Sequence, residues 1–302
     1  MVEWNCTLEI VERLIKEGGK VSTITAFMLT FNEERNIADC INSFKHIVDR
    51  IVVWDGYSKD NTVEIAKSLG AEVYQHPGTY RPRFDYGIEH SNIDTDWIAF
   101  IEADERFLPE SANELKELCD KYADSNTNGI VLRDKVLFMG KELYHGGVYP
   151  LVRLRVWKTG KGYMEKVELD EHIIVKEGNI AYMKNDILHT DYNGLLKWST
   201  KHCEYALRAA KDYLKKSSGE EIVEEQGIAK GAKLKRFLKY KVYYKFPMGM
   251  RAHLLYIYQY YFRMGFLDGK EGKMYAFLHA YWYRYLVDSY IYEIKKDNEN
   301  NG

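Results

Sequence analysis

Between residues 22 and 122, short apolar runs alternate with amphipathic stretches, and this alternation constrains the fold more than any other feature of the chain. "STITAFMLT" (22–30), "RIVVWD" (50–55), "AEVYQH" (71–76) and "DWIAFIEADE" (96–105) are short and rich in apolar, β-branched or aromatic residues, and read as strands. The segments between them read as helices. "NEERNIADCINSFK" sets Ile37, Cys40, Ile41 and Phe44 on one face, and "SKDNTVEIAKSLG" stops at Gly70. "RPRFDYGIEHSN" turns into a helix, and "PESANELKELCDKYA" carries Pro109 in its first turn. The order βαβαβαβα predicts a parallel sheet covered on both faces. Such sheets bind ligands at the carboxyl ends of their strands. The polar residues fall at those ends: Thr30 to Glu33, Asp55, and Glu102 to Glu105.

The rest of the chain changes texture. From about 129, "GIVLRDKVLFMG", "YPLVRLRVWKTG", "EHIIVKEG" and "IAYMKNDILHT" read as strands with hairpin-like, antiparallel spacing. From about 195 the chain reads as helical, starting with "GLLKWSTKHCEYALRAAKDYLKK". A helix is also expected over 4–16. Lys and Arg (43) nearly balance Asp and Glu (45), so the net charge does not favour a nucleic-acid partner. The four Cys are too dispersed for a zinc site and read as reduced thiols. Residues 1–20 are mixed and charged, and no apolar run reaches the ~18 residues of a spanning helix. A cytoplasmic protein, soluble or peripheral on the inner face of the membrane, is expected.

The acidic end of the fourth run asks for a positive partner. A hard divalent cation, Mg²⁺ or Mn²⁺, prefers oxygen ligands and can bridge a carboxylate and a diphosphate. An acidic turn leading into the helix at 110 is the competing reading of the same residues. Asp55 precedes Gly56, which permits a tight turn or close ligand approach. Its carboxylate can accept hydrogen bonds from a base N–H or a ribose hydroxyl.

"MLTFNEERNIADCINSF", "VVWDGYSKDNTVEIAKSLGAEV" and "DWIAFIEADERFLPE" together resemble the inverting family 2 glycosyltransferases of GT-A fold. More narrowly they are similar to bacterial enzymes that glycosylate lipopolysaccharide core or surface polysaccharide. The resemblance runs from 22 to about 200. It implies a Rossmann-like mixed α/β sheet flanked by helices, with a C-terminal helical extension. It also implies that Thr30, Asn32, Glu33 and Asp55 hold the nucleotide. Asp104 would be the principal metal ligand, with Mn²⁺ or Mg²⁺ as cofactor. Glu102 stands where the family usually has Asp, and reaches ribose or metal through water. In place of the family's Arg-Asn pair stands "RPRFDYG", in which Arg83 contacts the diphosphate or pairs with a surface acid. His189 resembles a late family His near the metal. In "VELDEHIIV" the alignment places Glu171 on the catalytic base, with Asp170 as the near alternative. His145 in "LYHGGVYP" lines the acceptor cleft, and Gly146 and Gly147 predict a mobile loop.

The expected layout is an N-terminal helix (1–20), a catalytic domain (21–195) and a basic, aromatic helical extension (196–302). The expected partners are a UDP-sugar donor and a saccharide acceptor, lipid-linked or free. The 25 Tyr, crowded toward the C-terminus, and the cationic stretch 230–251 suit either the inner membrane surface or a homodimer interface. Two rival functions remain: a sugar nucleotidyltransferase, although "TFNEERN" lacks a Gly-rich phosphate loop, and a non-catalytic sugar-binding scaffold.

Overall fold

The computed structural model describes residues 20–165, 172–218, 234 and 237–300. The helix expected over 4–16 lies outside the described residues. The chain divides into two compact units. The first holds residues 20–134 together with 152–164 and 172–192. The second holds 135–151, 165 and the described residues from 193 onward. Residues 135–151 therefore group with the C-terminal helices, inside the stretch expected as one domain.

In the first unit β1 (Ile24–Thr30), α1 (Ile37–Phe44), β2 (Arg50–Asp55), α2 (Thr62–Ser68), β3 (Glu72–Gln75), α3 (Tyr80–His90) and β4 (Trp97–Phe100) follow the expected alternation. β1 pairs in parallel with both β2 and β4, and β2 with β3. Then come β5 (Glu105–Phe107), α4 (Pro109–Lys121) and β6 (Thr127–Phe138); the last residues of β6, like β7 (Lys141–Glu142) with which they pair, belong to the second unit. β8 (Leu151–Lys158), the two-stranded β9 (Gly162–Met164) and β10 (Ile173–Val175), and β11 (Asn179–Thr190) complete the strands. The main sheet runs β3-β2-β1-β4-β8-β6-β11-β5. β8 is antiparallel to β4, and β11 to β5. This is the mixed α/β sheet expected from the GT-A resemblance, followed by helices.

Every residue of β1 is buried, because both its faces are covered. Ile24, Ala26 and Met28 join Ile41 and Phe44 of α1 and Leu115 of α4 in one core. On the opposite face Phe27 meets Phe84 of α3 edge to face, with ring centroids 5.4 Å apart, and Phe84 meets Phe100 at 5.1 Å. The fourth apolar run is shorter than its sequence suggests. Ile101 N still donates to Phe27 O at 3.1 Å, but Glu105 N then turns back to Glu102 O at 3.0 Å. The chain re-emerges as β5, running against β11. Glu102 and Asp104 thus lie in a turn between two strands, and Glu105 opens the second of them.

The second unit contains α5 (Gly194–Ser217), α6 (Met250–Ile257), a π-helical continuation to Phe262, a 3₁₀ turn at Gly265–Asp268, α7 (Gly269–Tyr275), a π-helical segment at Ala276–Trp282, and α8 (Tyr283–Asn300). Ala206, Ala209 and Ala210 of α5 admit Tyr283, Val287 and Ile291 of α8 at close range. Buried Asp288 accepts from Arg251 Nε at 2.7 Å and from Gly249 N at 2.8 Å. The loop at His145, expected to be mobile from its glycines, is tied down. Asp268 accepts from Tyr144 N (3.1 Å), His145 N (2.8 Å) and His145 Nδ1 (2.7 Å), and Gly146 N donates to Arg263 O at 2.8 Å.

α3 approaches the sheet through Gly87. A Cβ there would stand 2.7 Å from Phe27 Cζ and 2.8 Å from Trp54 Cδ1. Overpacking costs about 1–3 kcal/mol, against the ~1 kcal/mol that Ala returns over Gly in a helix. Gly87→Ala is therefore expected to lower the denaturant midpoint. A variant more stable than the parent would contradict this packing.

Candidate active site

The ends of β1 and β2 are knitted into one platform. Thr30 and Asp55 lie opposite each other in the parallel register. The fully buried Asp55 carboxylate accepts from Thr30 Oγ1 (3.0 Å), Ser58 N (2.8 Å), Ser58 Oγ (2.5 Å) and Gln75 Nε2 (3.2 Å). In the ligand-free chain it therefore fixes the turn that follows it. Asn32 takes a left-handed φ of 56°, which Asn tolerates better than most residues. Its N–H donates to Ser58 Oγ at 2.7 Å, and its Oδ1 accepts from Lys59 N at 2.7 Å. Glu33 N and Glu34 N donate to Thr62 Oγ1 (2.7 Å) and Asp60 Oδ2 (3.2 Å). Short polar side chains thus satisfy the backbone of both loops without closing them into regular structure.

Arg83 lies beneath this platform. It is 7% exposed, and its Nη1 donates to Thr30 O at 2.7 Å. Burial pushes its pKa down, partly offset by Asp55 nearby. Gly56 makes room for it, since a Cβ at that position would stand 2.0 Å from Arg83 Nη1. Asp85, an exposed acid of that helix, pairs with Arg81 instead, at 3.2 Å.

At the end of β4 the positive partner is a pair of arginines on β8. The antiparallel register sets Ala99 against Val156, and carries Arg155 and Arg153 toward the acidic turn. Arg153 donates to Asp134 Oδ2 (2.6 Å), Glu102 Oε2 (2.7 Å) and Glu105 Oε1 (2.5 Å). Arg155 Nη2 reaches Glu102 Oε2 at 2.7 Å, and Tyr80 OH donates to Glu102 Oε1 at 2.7 Å. Burial alone would raise the Glu102 carboxyl, but Arg155 and Arg153 outweigh it and hold it at about 2. Burial pushes Glu105 the other way, to about 7, because it shares Arg153 with Glu102 and Asp134.

Asp104 faces elsewhere. Its Oδ2 lies 3.4 Å from His189 Nε2, and its carbonyl accepts Thr190 N at 2.8 Å. The β5–β11 register, which sets His189 opposite Glu105, holds this pair together. Burial lowers the pKa of His189, but the Asp104 carboxylate prevails and holds it above the usual value. No cluster of three or more metal-binding side chains occurs among the described residues. A carboxylate oxygen and an imidazole nitrogen at this separation nonetheless fit adjacent positions on one hard cation, whose bonds of about 2.1 Å set neighbouring ligands about 3 Å apart. Two protein ligands also leave room for phosphate and water, as Mg²⁺ sites usually require.

Thr30, Asn32, Glu33, Asp55 and Arg83 therefore converge at one set of strand ends, and Glu102, Asp104 and His189 at the next. Asn36, which sequence reasoning passed over, links the two sets. Its amide donates to Glu33 Oε2 (2.8 Å) and Asp191 Oδ1 (2.9 Å), and its Oδ1 accepts Tyr192 N (3.0 Å). Arg153, Arg155 and Tyr80 were also missed. The signal was present in "LVRLRVW", where two cations at alternate positions of an apolar strand share one face. Asp170 and Glu171 lie outside the described residues.

The family model described as Glycosyl transferase family 2 matches residues 25–190. An uncharacterised glycosyltransferase of Rickettsia typhi is 39% identical over 123 residues, which cover 39% of this chain and 40% of that protein. The SPbeta prophage-derived glycosyltransferase SunS of Bacillus subtilis is 27% identical over 151 residues, covering 44% and 35%. The match thus spans less than half the length of these curated relatives. Among solved structures, glucosyl-3-phosphoglycerate synthase from Mycobacterium tuberculosis, in complex with Mn²⁺, UDP and glucosyl-3-phosphoglycerate, is 15% identical at a TM-score of 0.43, covering 68% of this chain and 82% of that one.

Removing Arg153 would leave Glu105 and Asp134, both fully buried, without their shared cation. Breaking such a pair from one side costs about 3–5 kcal/mol. Arg153→Met should lose stability on that scale in urea unfolding, and Arg153→Lys, with one point charge for three carboxylates, somewhat less. A loss under about 1 kcal/mol in the Met variant would show that the acids do not need this partner.

Proposed function

The chain belongs to glycosyltransferase family 2, and on that premise we propose that it moves a hexosyl unit from a UDP-sugar, with inversion, to a saccharide acceptor of lipopolysaccharide or surface polysaccharide. The observation that carries the reading is the Asp104–His189 pair, 3.4 Å apart at the end of β4 and beside the Thr30–Asp55 platform.

In this reading the nucleoside sits on the ends of β1 and β2. Asn32 offers its amide to base and ribose, Asp55 accepts from them once a ligand donor replaces one of the four it now holds, and the exposed rings of Phe31 and Tyr57 offer stacking surfaces. Asp104 and His189 hold Mn²⁺ or Mg²⁺, which when bound offsets the charge of the leaving diphosphate. Glu102, restrained by Arg153, Arg155 and Tyr80, shapes the turn that presents Asp104, and Arg83 adds positive potential under the phosphates. The acceptor hydroxyl attacks the anomeric carbon from the face opposite the phosphate. Its proton passes to the Glu171 carboxylate, with Asp170 the alternative, as the bond from anomeric carbon to phosphate oxygen breaks and UDP departs. Holding donor and acceptor in line supplies much of the remaining rate. The acceptor is lipid-linked, which brings the enzyme to the inner membrane surface.

A thermal-shift panel of nucleotide sugars with and without Mn²⁺ tests the donor side, because a ligand that binds the native state raises the melting point. A metal-dependent shift with a UDP-sugar is expected, and Asp104→Ala should abolish it. An undiminished shift in that variant removes Asp104 from the metal role. For the base, Glu171→Gln should keep the donor shift and lose transfer by about 10²-fold or more. Full transfer would move the role to Asp170. Absence of any donor shift or turnover would favour the sugar-binding scaffold.

A further inference from the structure

The second unit carries a helical face whose polarity is inverted. From 250 to 262 the exposed positions are held by Met250, His253, Leu254, Ile257, Tyr258, Tyr261 and Phe262, all apolar or aromatic but for the imidazole of His253. They recur every three or four residues and so form one stripe. The opposite side of the same helix buries Arg251 and Ala252. The stripe continues past the turn: Phe266 and Leu267 stand exposed on the 3₁₀ segment, and Phe262 is 75% exposed. A helix of a water-soluble domain turns its apolar side inward. Apolar surface arrayed this way marks an interaction site.

The charges around the stripe indicate the partner. Arg263, Lys270 and Lys273 are exposed at its end, and Lys241 and Lys245 on the segment before it. The carboxylates between 237 and 292 are Asp268 and Asp288, both buried, and Glu271, half-buried. Asp268 is engaged by the His145 loop, and Asp288 by Arg251. The face therefore presents aromatic rings and cations with no fully exposed anion. Pairing with a second copy of itself would set Arg263, Lys270 and Lys273 against their own equivalents. An anionic lipid surface instead takes the rings at headgroup depth and the cations at its phosphates. No helix among the described residues is long and apolar enough to cross a membrane, so the stripe would lie on the bilayer.

We propose that the face formed by residues 250–267, with Lys270 and Lys273, docks the protein on an anionic lipid bilayer. The proposal deepens the reading above, in which the acceptor is lipid-linked, and rests on it only for the purpose of the docking.

Flotation of the full chain with vesicles tests it. Recovery with vesicles containing phosphatidylglycerol should exceed recovery with pure phosphatidylcholine by about tenfold and fall with added salt. Phe262→Ser with Phe266→Ser, both at exposed positions, should weaken vesicle binding by about tenfold or more and leave the circular dichroism unchanged. Lys270→Glu with Lys273→Glu should remove the preference for anionic lipid. Failure to float, or flotation unchanged by the Phe pair, overturns the proposal. So does a concentration-dependent dimer, or retention by single-stranded RNA, that the Phe pair abolishes while vesicles do not bind. Donor hydrolysis assayed on the same samples separates the two readings. Hydrolysis without flotation rejects only the lipid face, and flotation without hydrolysis rejects only the transferase.

Discussion

Arg153 reaches Asp134, Glu102 and Glu105 at once, and Arg155 reaches Glu102 again. Without these two guanidiniums the end of β4 would bury more negative charge than a protein interior tolerates, since an unpaired buried ion costs several kcal/mol. With them the turn has a defined shape. Glu102 and Glu105 point into the arginines, and Asp104 is left facing His189. The arginine fork suits this task because its donors lie in one plane and spread over several oxygens, whereas a lysine offers one point charge. The strands that carry the two charge sets lie side by side and antiparallel, so the register of the sheet places the charges.

The same economy of local bonding governs the neighbouring strand ends. Asp55, Ser58, Asn32 and Thr62 satisfy the backbone of two loops that lie outside strand and helix. Gly56 leaves the space through which Arg83 reaches the carbonyl of Thr30. A glycine in the strand-to-loop turn, a buried arginine and a buried aspartate therefore form one unit, in which each explains the residue type of the others. Asn36 joins that unit to the strand bearing His189. Both halves of the candidate site are fixed to the sheet before any ligand arrives, which lowers the cost of ordering on binding.

What was legible in the sequence was local. The strand and helix alternation over 22–121, the buried face of α1 and Pro109 at the start of α4 all follow from periodicity and end signals. The polar strand ends could be named because they follow apolar runs directly. What was not legible was pairing between distant segments. Nothing near residue 102 announces Arg153, fifty residues on, and only the β4–β8 register joins them. The fourth run also read as one strand, because no propensity marks Glu102–Asp104 as a turn between a parallel and an antiparallel partner. The 145–147 loop read as mobile from its glycines, since the carboxylate that ties it lies at 268. The stripe on 250–262 was visible as composition, but which rings face outward depends on what the other side buries.

The central claim is that the arginine-braced turn presents Asp104, with His189, to a cation shared with a diphosphate. A crystal of the full chain grown with MnCl₂ and UDP, measured at the manganese absorption edge, tests it most directly. The account predicts one anomalous peak within bonding distance, about 2.2 Å, of Asp104 Oδ2 and His189 Nε2, with diphosphate oxygens completing its shell. Manganese bound at Glu102 with Arg153 displaced, or a nucleotide lodged away from the ends of β1 and β4, would contradict it.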